Sequence, residues 1–171
     1  MAIFIPAIRN YAPFYIQRAS DAAAVNVQTQ WGITVKDSGY PMQRKAKEPY
    51  NNNWKDRDGD DEWNEAISYE AFTYTLECVI FTQSGDSDTS RTELKKAVRA
   101  FQNAIRNGEF SIYSAWHKFG FRKCRVAEFQ DPGSSGFSTK DGRCRLIFRL
   151  VLKINDPTTE MSLSGGKIVT A

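Results

Sequence analysis

The residues best equipped to do chemistry form an acidic run in the middle of the chain, Asp56-Arg57-Asp58-Gly59-Asp60-Asp61-Glu62. An EF-hand calcium loop places its glycine after the third carboxylate and a glutamate six residues beyond that glycine. Here the glycine follows the second aspartate, so we expect no metal site and interpret the run as a solvated or interface loop. Two of these carboxylates could form a glycosidase pair if separate elements brought them together across a cleft, but nothing in the sequence indicates this.

The other candidates for catalysis are one histidine and three cysteines. His117 has no serine, cysteine or aspartate arrangement around it that would indicate a catalytic triad. Cys78 and Cys144 occupy apolar positions of predicted strands, where a free cysteine packs as a small hydrophobic residue. Together with Cys124 they are too few and too scattered for a disulfide framework. We therefore predict no catalytic residue, no metal and no cofactor, and expect that the protein is not an enzyme.

Length and composition fit one ordinary globular domain. The chain has 171 residues, of which 41% are hydrophobic and 25% are charged, which lies outside the range of disordered chains. No stretch approaches the ~20 apolar residues of a membrane span. The first residues, MAIFIPAIRNYAPFY, have no basic segment and no small-residue cleavage site. We therefore expect neither membrane insertion nor a signal peptide.

Charge is segregated along the chain although the net charge is +3. Residues 48–90 carry two Lys or Arg against eleven Asp or Glu, whereas residues 91–153 carry fourteen against five. Three interpretations are open. The two blocks neutralise each other within the fold, they form complementary surfaces through which copies associate, or the basic block binds nucleic acid, although no recognisable module for that is present.

Hydrophobic periodicity predicts a β-rich α+β domain. Alternating apolar residues predict long strands over 68–81 and 143–155, and shorter strands over 110–115 and 121–129. One amphipathic helix is predicted over 90–107.

Local signals set the expected ends of these elements. Ser90 and Glu93 match a capping box, which predicts that the helix begins at Ser90. Asp156-Pro157 is expected to end the last strand, because proline cannot donate to the hydrogen-bond ladder. Residues 158–171 are then expected to form a C-terminal tail or arm. Near the N-terminus, residues 21–27 are compatible with a short helix.

The segment 36–66 is long and poor in hydrophobic residues. Segments of this length without secondary structure are uncommon in compact domains unless they are functional. Trp54 and Trp63 flank the acidic run and are the kind of residue that anchors an interface. We therefore expect an extended loop that orders against a partner.

The last predicted strand carries a stripe of cations, Arg143, Arg145, Arg149 and Lys153, at alternate positions on one face. Like charges on one face repel each other unless opposing carboxylates meet them. In a monomer the four cations could simply face water, whereas in an assembly the acidic loop of a neighbouring copy is the natural partner for this stripe. The sequence thus predicts a subunit interface made of the stripe and of Trp54, Asp56, Asp58, Asp60, Asp61, Glu62 and Trp63.

The order of elements resembles a known family. The strand YEAFTYTLECVIF, the amphipathic helix, the segment GEFSIYSAWHKFGFRKCRVAEF and the strand RLIFRLVLKINDP resemble the tail-tube-like domain of long-tailed bacteriophages, and most of all that of distal tail proteins. The resemblance covers residues 66–157. It implies a β-sandwich or split barrel with one amphipathic helix packed on it, over a single domain at 1–157.

The same resemblance implies a function. Members of the family are structural proteins of the virion tail, made in the host bacterial cytoplasm, which form homo-oligomeric rings, commonly hexameric, around a lumen wide enough for DNA. A distal tail or baseplate-hub ring is the expected role, with neighbouring tail proteins as partners and DNA passing transiently and non-specifically. The alternatives are a tail tube subunit, a tail terminator or completion protein, a monomeric binding module that uses the 36–66 loop, and a hydrolase that uses the acidic run.

Overall fold

A computed structural model describes residues 13–36, 45–47, 69–82, 88–130 and 144–171, and the backbone alone at 51–52, 61–62, 83, 87, 137–140 and 143. Within these ranges the chain forms eleven strands and two helices. In chain order they are β1 (Phe14–Arg18), β2 (Val25–Asn26), α1 (Val27–Trp31), β3 (Ile33–Lys36), β4 (Asn51–Asn52), β5 (Asp61–Glu62), β6 (Phe72–Gln83), α2 (Ser87–Ile105), β7 (Phe110–Ser114), β8 (Phe119–Gln130), β9 (Phe137–Lys140), β10 (Arg143–Ser164) and β11 (Lys167–Thr170).

The main sheet is antiparallel and curls into a half-barrel. Its strand order is β2-β1-β7-β8-β10-β6-β3, with β9 and β11 also paired to β10, while β4 and β5 form a separate pair. The longest ladder joins β10 to β6, from the pair Arg143 and Gln83 to the pair Ile154 and Phe72. The predicted class, a β-rich α+β fold with one main helix, is confirmed.

The core lies between α2 and one face of the sheet, which we call the inner face. Alternation along β6 and along β10 as far as Ile154 places their even-numbered side chains on this face, as the periodicity predicted. The buried cluster is completed by side chains of β1, β3, β7, β8 and α2. Its members from β6, β10 and α2 are Tyr74, Leu76, Cys78, Ile80, Cys144, Phe148, Leu150, Leu152, Ile154, Leu94, Phe101 and Ile105.

Helix α2 has the predicted apolar stripe, but its predicted start is wrong. The helix begins at Ser87, three residues before the expected capping box. Ser90 is fully buried inside the helix, and its carbonyl accepts a hydrogen bond from the Thr82 hydroxyl at 3.0 Å. Asp88 lies in the first turn instead, where a carboxylate interacts favourably with the helix dipole.

Strand β10 does not end at Asp156-Pro157, so that prediction is also wrong. The ladder to β8 shifts register between the pair Asp156–Arg122 and the pair Glu160–Phe121, so that residues 157–159 form a bulge. The Asp156 carboxylate accepts hydrogen bonds from the backbone N–H and the hydroxyl of Thr159, at 3.1 and 3.2 Å. Proline is tolerated here because a bulged residue donates nothing to the ladder.

Residues 158–171, expected to be a tail or arm, form the end of β10 and a hairpin with β11. Gly165 and Gly166 connect the strands with φ of 55° and 76°, the backbone that a tight hairpin turn requires of both residues. The hairpin returns to the sheet, since the Ile168 backbone N–H donates to Gln17 Oε1 at 2.6 Å.

The region between β1 and β3 also differs from the expectation of a helix at residues 21–27. Helix α1 begins later, after the N-cap Asn26, whose side chain accepts from the Gln28 backbone N–H. Gly32 ends it in the left-handed conformation, with φ of 69°. Asp21 instead lies in a turn, where its carboxylate holds the guanidinium of Arg18.

Candidate subunit interface

The candidate interface lies on the outer face of the sheet, opposite α2. Arg145, Arg149 and Lys153 are exposed on this face of β10, four residues apart, and we call them the β10 cation row. At the rise of an antiparallel strand the row is about 27 Å long. Half-buried Ile147 and Val151 lie between the cations on the same face. The strip therefore alternates charged and aliphatic side chains, a combination suited to contact with another protein surface.

Neighbouring strands place two carboxylates beside the row, Glu77 on β6 and Glu128 on β8. Arg149 is the cross-strand partner of Glu77 on β6, and Glu77 is in turn the partner of Lys36 on β3. Cross-strand partners point to the same face. Glu77 forms its ion pair with Lys36, at 3.0 Å between Nζ and Oε1. Glu77 thus lies between two cations, and Glu128 accepts a hydrogen bond from the Gln130 side chain.

On the other flank, Lys153 is the partner of Arg125 on β8. Arg125 forms an ion pair with Glu109, with 3.0 Å between Nη2 and Oε1. Among the described residues, none makes an ion pair with Arg145, Arg149 or Lys153. The positions that the sequence reasoning missed are Glu77, Glu128 and Arg125 on the strands beside β10. Lys36 and Glu109, which form ion pairs with Glu77 and Arg125, were missed as well. The signal that could have found Glu77 is its odd-numbered place on the predicted strand, but its partners depend on register.

The predicted partner of the row lies largely outside the described residues. The residues of this partner that lie outside the described ranges are Trp54, Asp56, Asp58, Asp60 and Trp63. Asp61 and Glu62 are described as backbone, in β5, which pairs with β4. Arg143 begins β10 and is likewise described as backbone. The structure therefore brings together Arg145, Arg149 and Lys153, and the pairing of this row with the acidic loop stays a prediction.

The described ion pairs show which cations neutralise carboxylates of the acidic block, residues 48–90. Glu77 and Glu70 of the acidic block pair with Lys36 and Lys45, which precede it in sequence. Both pairs are exposed, so each contributes little to stability. Neutralisation of the acidic block thus involves the N-terminal part of the chain, and the β10 cation row takes no part in it within the described ranges.

Helix α2 presents a second basic surface on the opposite side of the domain. Its exposed side includes Arg91, Lys95, Lys96 and Arg99, and exposed Arg106 follows directly after the helix. Two of these have weak partners, because the closest oxygen of Asp88 lies 3.8 Å from Arg91 and that of Glu93 lies 3.9 Å from Lys96. Exposed cations on a helix are a common solvated surface, and they lack the interspersed aliphatic side chains of the β10 row.

The residues considered for catalysis occupy structural positions. His117 lies in the turn after β7, with its ring 5.8 Å from that of Phe119 and its backbone N–H directed at the Ser114 hydroxyl. Cys78, Cys124 and Cys144 are buried cysteines that are not joined in disulfides. Burial raises the pKa of the Cys78 and Cys124 thiols well above the ordinary value. These two thiols stay protonated near neutral pH and are poor nucleophiles.

Two kinds of feature, a metal-binding group and a membrane-spanning helix, are absent from the described part of the chain. It contains no group of three or more His, Cys, Asp or Glu side chains arranged to hold a metal ion. Within the same residues, no helix has the length and apolar character needed to cross a membrane. Compared with known protein families, the chain matches none, and comparison with curated proteins finds no match either.

Proposed function

We propose that this protein is a structural subunit of a bacteriophage tail that assembles with copies of itself into a ring around a DNA-conducting lumen. The role we favour is a distal tail or baseplate-hub ring, with hexameric symmetry, in contact with neighbouring tail proteins. The finer fold, a tail-tube-like β-sandwich or split barrel, is part of the same proposal. The protein would be made in the host cytoplasm and act in the virion, without catalysis.

One observation carries the proposal. The β10 cation row is an exposed strip of alternating cations and aliphatic side chains on a regular strand, and no described residue pairs with its charges. A strand fixes the spacing of its side chains, so the row presents charges in a set register to whatever contacts it. A second copy offers complementary charge, because residues 48–90 carry nine more acidic than basic side chains.

The arrangement of the two charged patches is also suited to forming a closed ring. The row and the acidic run are different patches of one chain, so contact between them is heterologous, and repeated heterologous contacts close into a ring when the rotation permits. The row alone is too narrow for a stable interface, which needs roughly 1,000 Å² in total. The flanking strands and the 36–66 segment would supply the rest of the area, with Trp54 and Trp63 as anchors.

Negative-stain electron microscopy of the purified protein, with light scattering on the same sample, tests the proposal. Closed rings of one size are the expected result. Long hollow filaments would favour the tail tube subunit over the distal ring. A monomer at all concentrations would contradict self-assembly and favour the monomeric binding module that uses the 36–66 loop.

A further inference from the structure

A cleft of about 320 Å³ opens where β1, β7, β8 and β11 approach each other. It lies beside an irregularity in the pairing of β7 with β8, where Ser111 faces two residues, Arg122 and Lys123. An extra residue on one strand is a β-bulge, and bulges re-aim side chains next to functional sites. The walls of the cleft carry three cations, namely Arg18, Arg122 and Lys123.

The two arginines are held in place by carboxylates. Arg18 forms an ion pair with Asp21, at 2.7 Å between Nη2 and Oδ1, and donates from Nη1 to the Ala104 carbonyl. Hydrogen bonds from the Arg18 side chain hold the pKa of Asp21 below its ordinary value. Arg122 uses Nε for its ion pair with Asp156. Among the described residues this leaves both terminal amino groups of Arg122 without another acceptor.

Lys123 is different, because its backbone is strained and its charge is uncompensated. Its φ is 52°, in the left-handed region that side chains with a Cβ rarely adopt. A bulge position with this conformation is normally filled by glycine. The Lys123 side chain is exposed and forms no ion pair with a described residue. Residues that keep a strained backbone conformation, where glycine would be unstrained, cluster at functional sites.

The remaining carboxylate in the wall does not neutralise the cleft. Glu109 is engaged by Arg125, with 3.0 Å between Nη2 and Oε1. Asp21 is likewise engaged by Arg18. The groups free to bind a ligand are therefore the Lys123 ammonium and the terminal amino groups of Arg122, all of them donors.

We infer that this cleft binds a small phosphate-bearing anion through Lys123 and Arg122. Adjacent ammonium and guanidinium groups are the usual partners of phosphate oxygens, and the guanidinium plane offers them two donors at once. The volume accommodates a phosphate group with a small substituent. This inference is independent of ring assembly, since the cleft does not include the β10 cation row.

Titration with inorganic phosphate, read by thermal unfolding and by ¹⁵N amide shifts, tests the inference against sodium chloride of equal ionic strength. The wild-type melting temperature should rise further in phosphate than in chloride, with amide shifts at Ser111 and Lys123. Lys123→Gly should bind phosphate about tenfold more weakly or worse, because one charge-assisted contact is lost. Without phosphate it should melt about 1–4 °C higher, because the strain is relieved.

The chain offers a matched control in Lys118, which also has positive φ, of 54°, but lies in the turn after β7 and outside the cleft. Lys118→Gly should gain stability in the same way and keep wild-type affinity for phosphate. Should Lys123→Gly not fold, Lys123→Asn keeps a residue that tolerates this conformation. The inference is overturned if phosphate acts no differently from chloride, or if the Lys118 and Lys123 variants bind phosphate equally well.

Discussion

The two faces of the main sheet use the same strands for different purposes. On the inner face, alternate side chains of β6 and β10 pack under α2, and the cluster includes fully buried Phe101 and Leu152. On the outer face, the intervening side chains of β10 alternate cations with half-buried aliphatic residues, as at Arg149 and Val151. Strand β10 therefore stabilises the fold with one face, and we propose that the exposed cations of the other face serve association.

This division predicts which substitutions affect folding and which affect assembly. Changes on the inner face should lower the free energy of unfolding whether or not the protein assembles. Changes at exposed positions of the outer face should leave that free energy nearly unchanged and alter the association of copies instead.

The largest effect is expected at Phe101, in the C-terminal part of α2. Its ring contacts those of Trp31, Phe129 and Phe148, with centroids 5.3–6.4 Å apart. Phe101→Ala should lower the free energy of unfolding by about 3–5 kcal/mol, because a cavity forms between helix and sheet. Urea unfolding measures this, with Asn103→Ala at an exposed position of the same helix as the control. A loss below about 1 kcal/mol would show that α2 does not cover the core.

An intermediate effect is expected at Asp156, which keeps β10 in register across its bulge. Burial alone would raise the pKa of Asp156, but hydrogen bonds from Arg122 and Thr159 outweigh it and hold the pKa below its ordinary value. The ionised form is therefore the stabilising one, and its contribution is lost as the pH falls below about 4. Asp156→Asn should lower the free energy of unfolding by about 1–2 kcal/mol at pH 7. The variant should then lose less of this free energy than the wild type as the pH falls.

Urea unfolding of Asp156→Asn between about pH 7 and pH 3 checks this. Glu128→Gln is the control, because Glu128 is exposed and its carboxylate accepts from the Gln130 side chain. The account of the bulge is wrong if the wild type and Asp156→Asn differ by the same free energy at both ends of the pH range.

The smallest effect on stability is expected at Glu77. A substitution there distinguishes an effect on association from an effect on folding. The ion pair with Lys36 is exposed, so Glu77→Gln should change the free energy of unfolding by less than about 0.5 kcal/mol. It removes the carboxylate of the cross-strand partner of Arg149, so self-association should become tighter and more sensitive to salt. Sedimentation equilibrium at about 0.1 M and 1 M salt measures this. Weaker association of the variant would contradict an acidic partner for the row.

Sequence alone predicts the fold class and the two faces because hydrophobic alternation is a local signal. Both long strands, the stripe of α2 and the common face of Arg145, Arg149 and Lys153 follow from it. The charged neighbours of that face cannot be predicted in this way. Glu77 and Arg125 lie beside the row only because of how their strands are aligned with β10, and that alignment depends on bulges and on the whole sheet.

Two misplaced boundaries have separate physical causes. Asp156-Pro157 is a stop signal in isolation, but the Asp156 carboxylate and Arg122 stabilise a bulge that lets the strand continue. Ser90 fits a capping box by pattern, but the helix extends to Ser87 and buries it. The hairpin over 158–171 had a usable signal, because Gly165-Gly166 is a two-residue turn of the type that allows positive φ at both positions.

The most direct test of the central claim, that the β10 cation row is the subunit interface, is sedimentation velocity of a charge-reversal pair. One variant carries Arg145→Glu and Arg149→Glu on the sheet, and the control carries Lys95→Glu and Arg99→Glu on α2, with the same change in net charge. At about 0.1 M salt we predict that the wild type and the control assemble while the sheet variant stays monomeric with an unchanged melting temperature. Wild-type assembly of the sheet variant, or dispersal of the control alone, would contradict the claim.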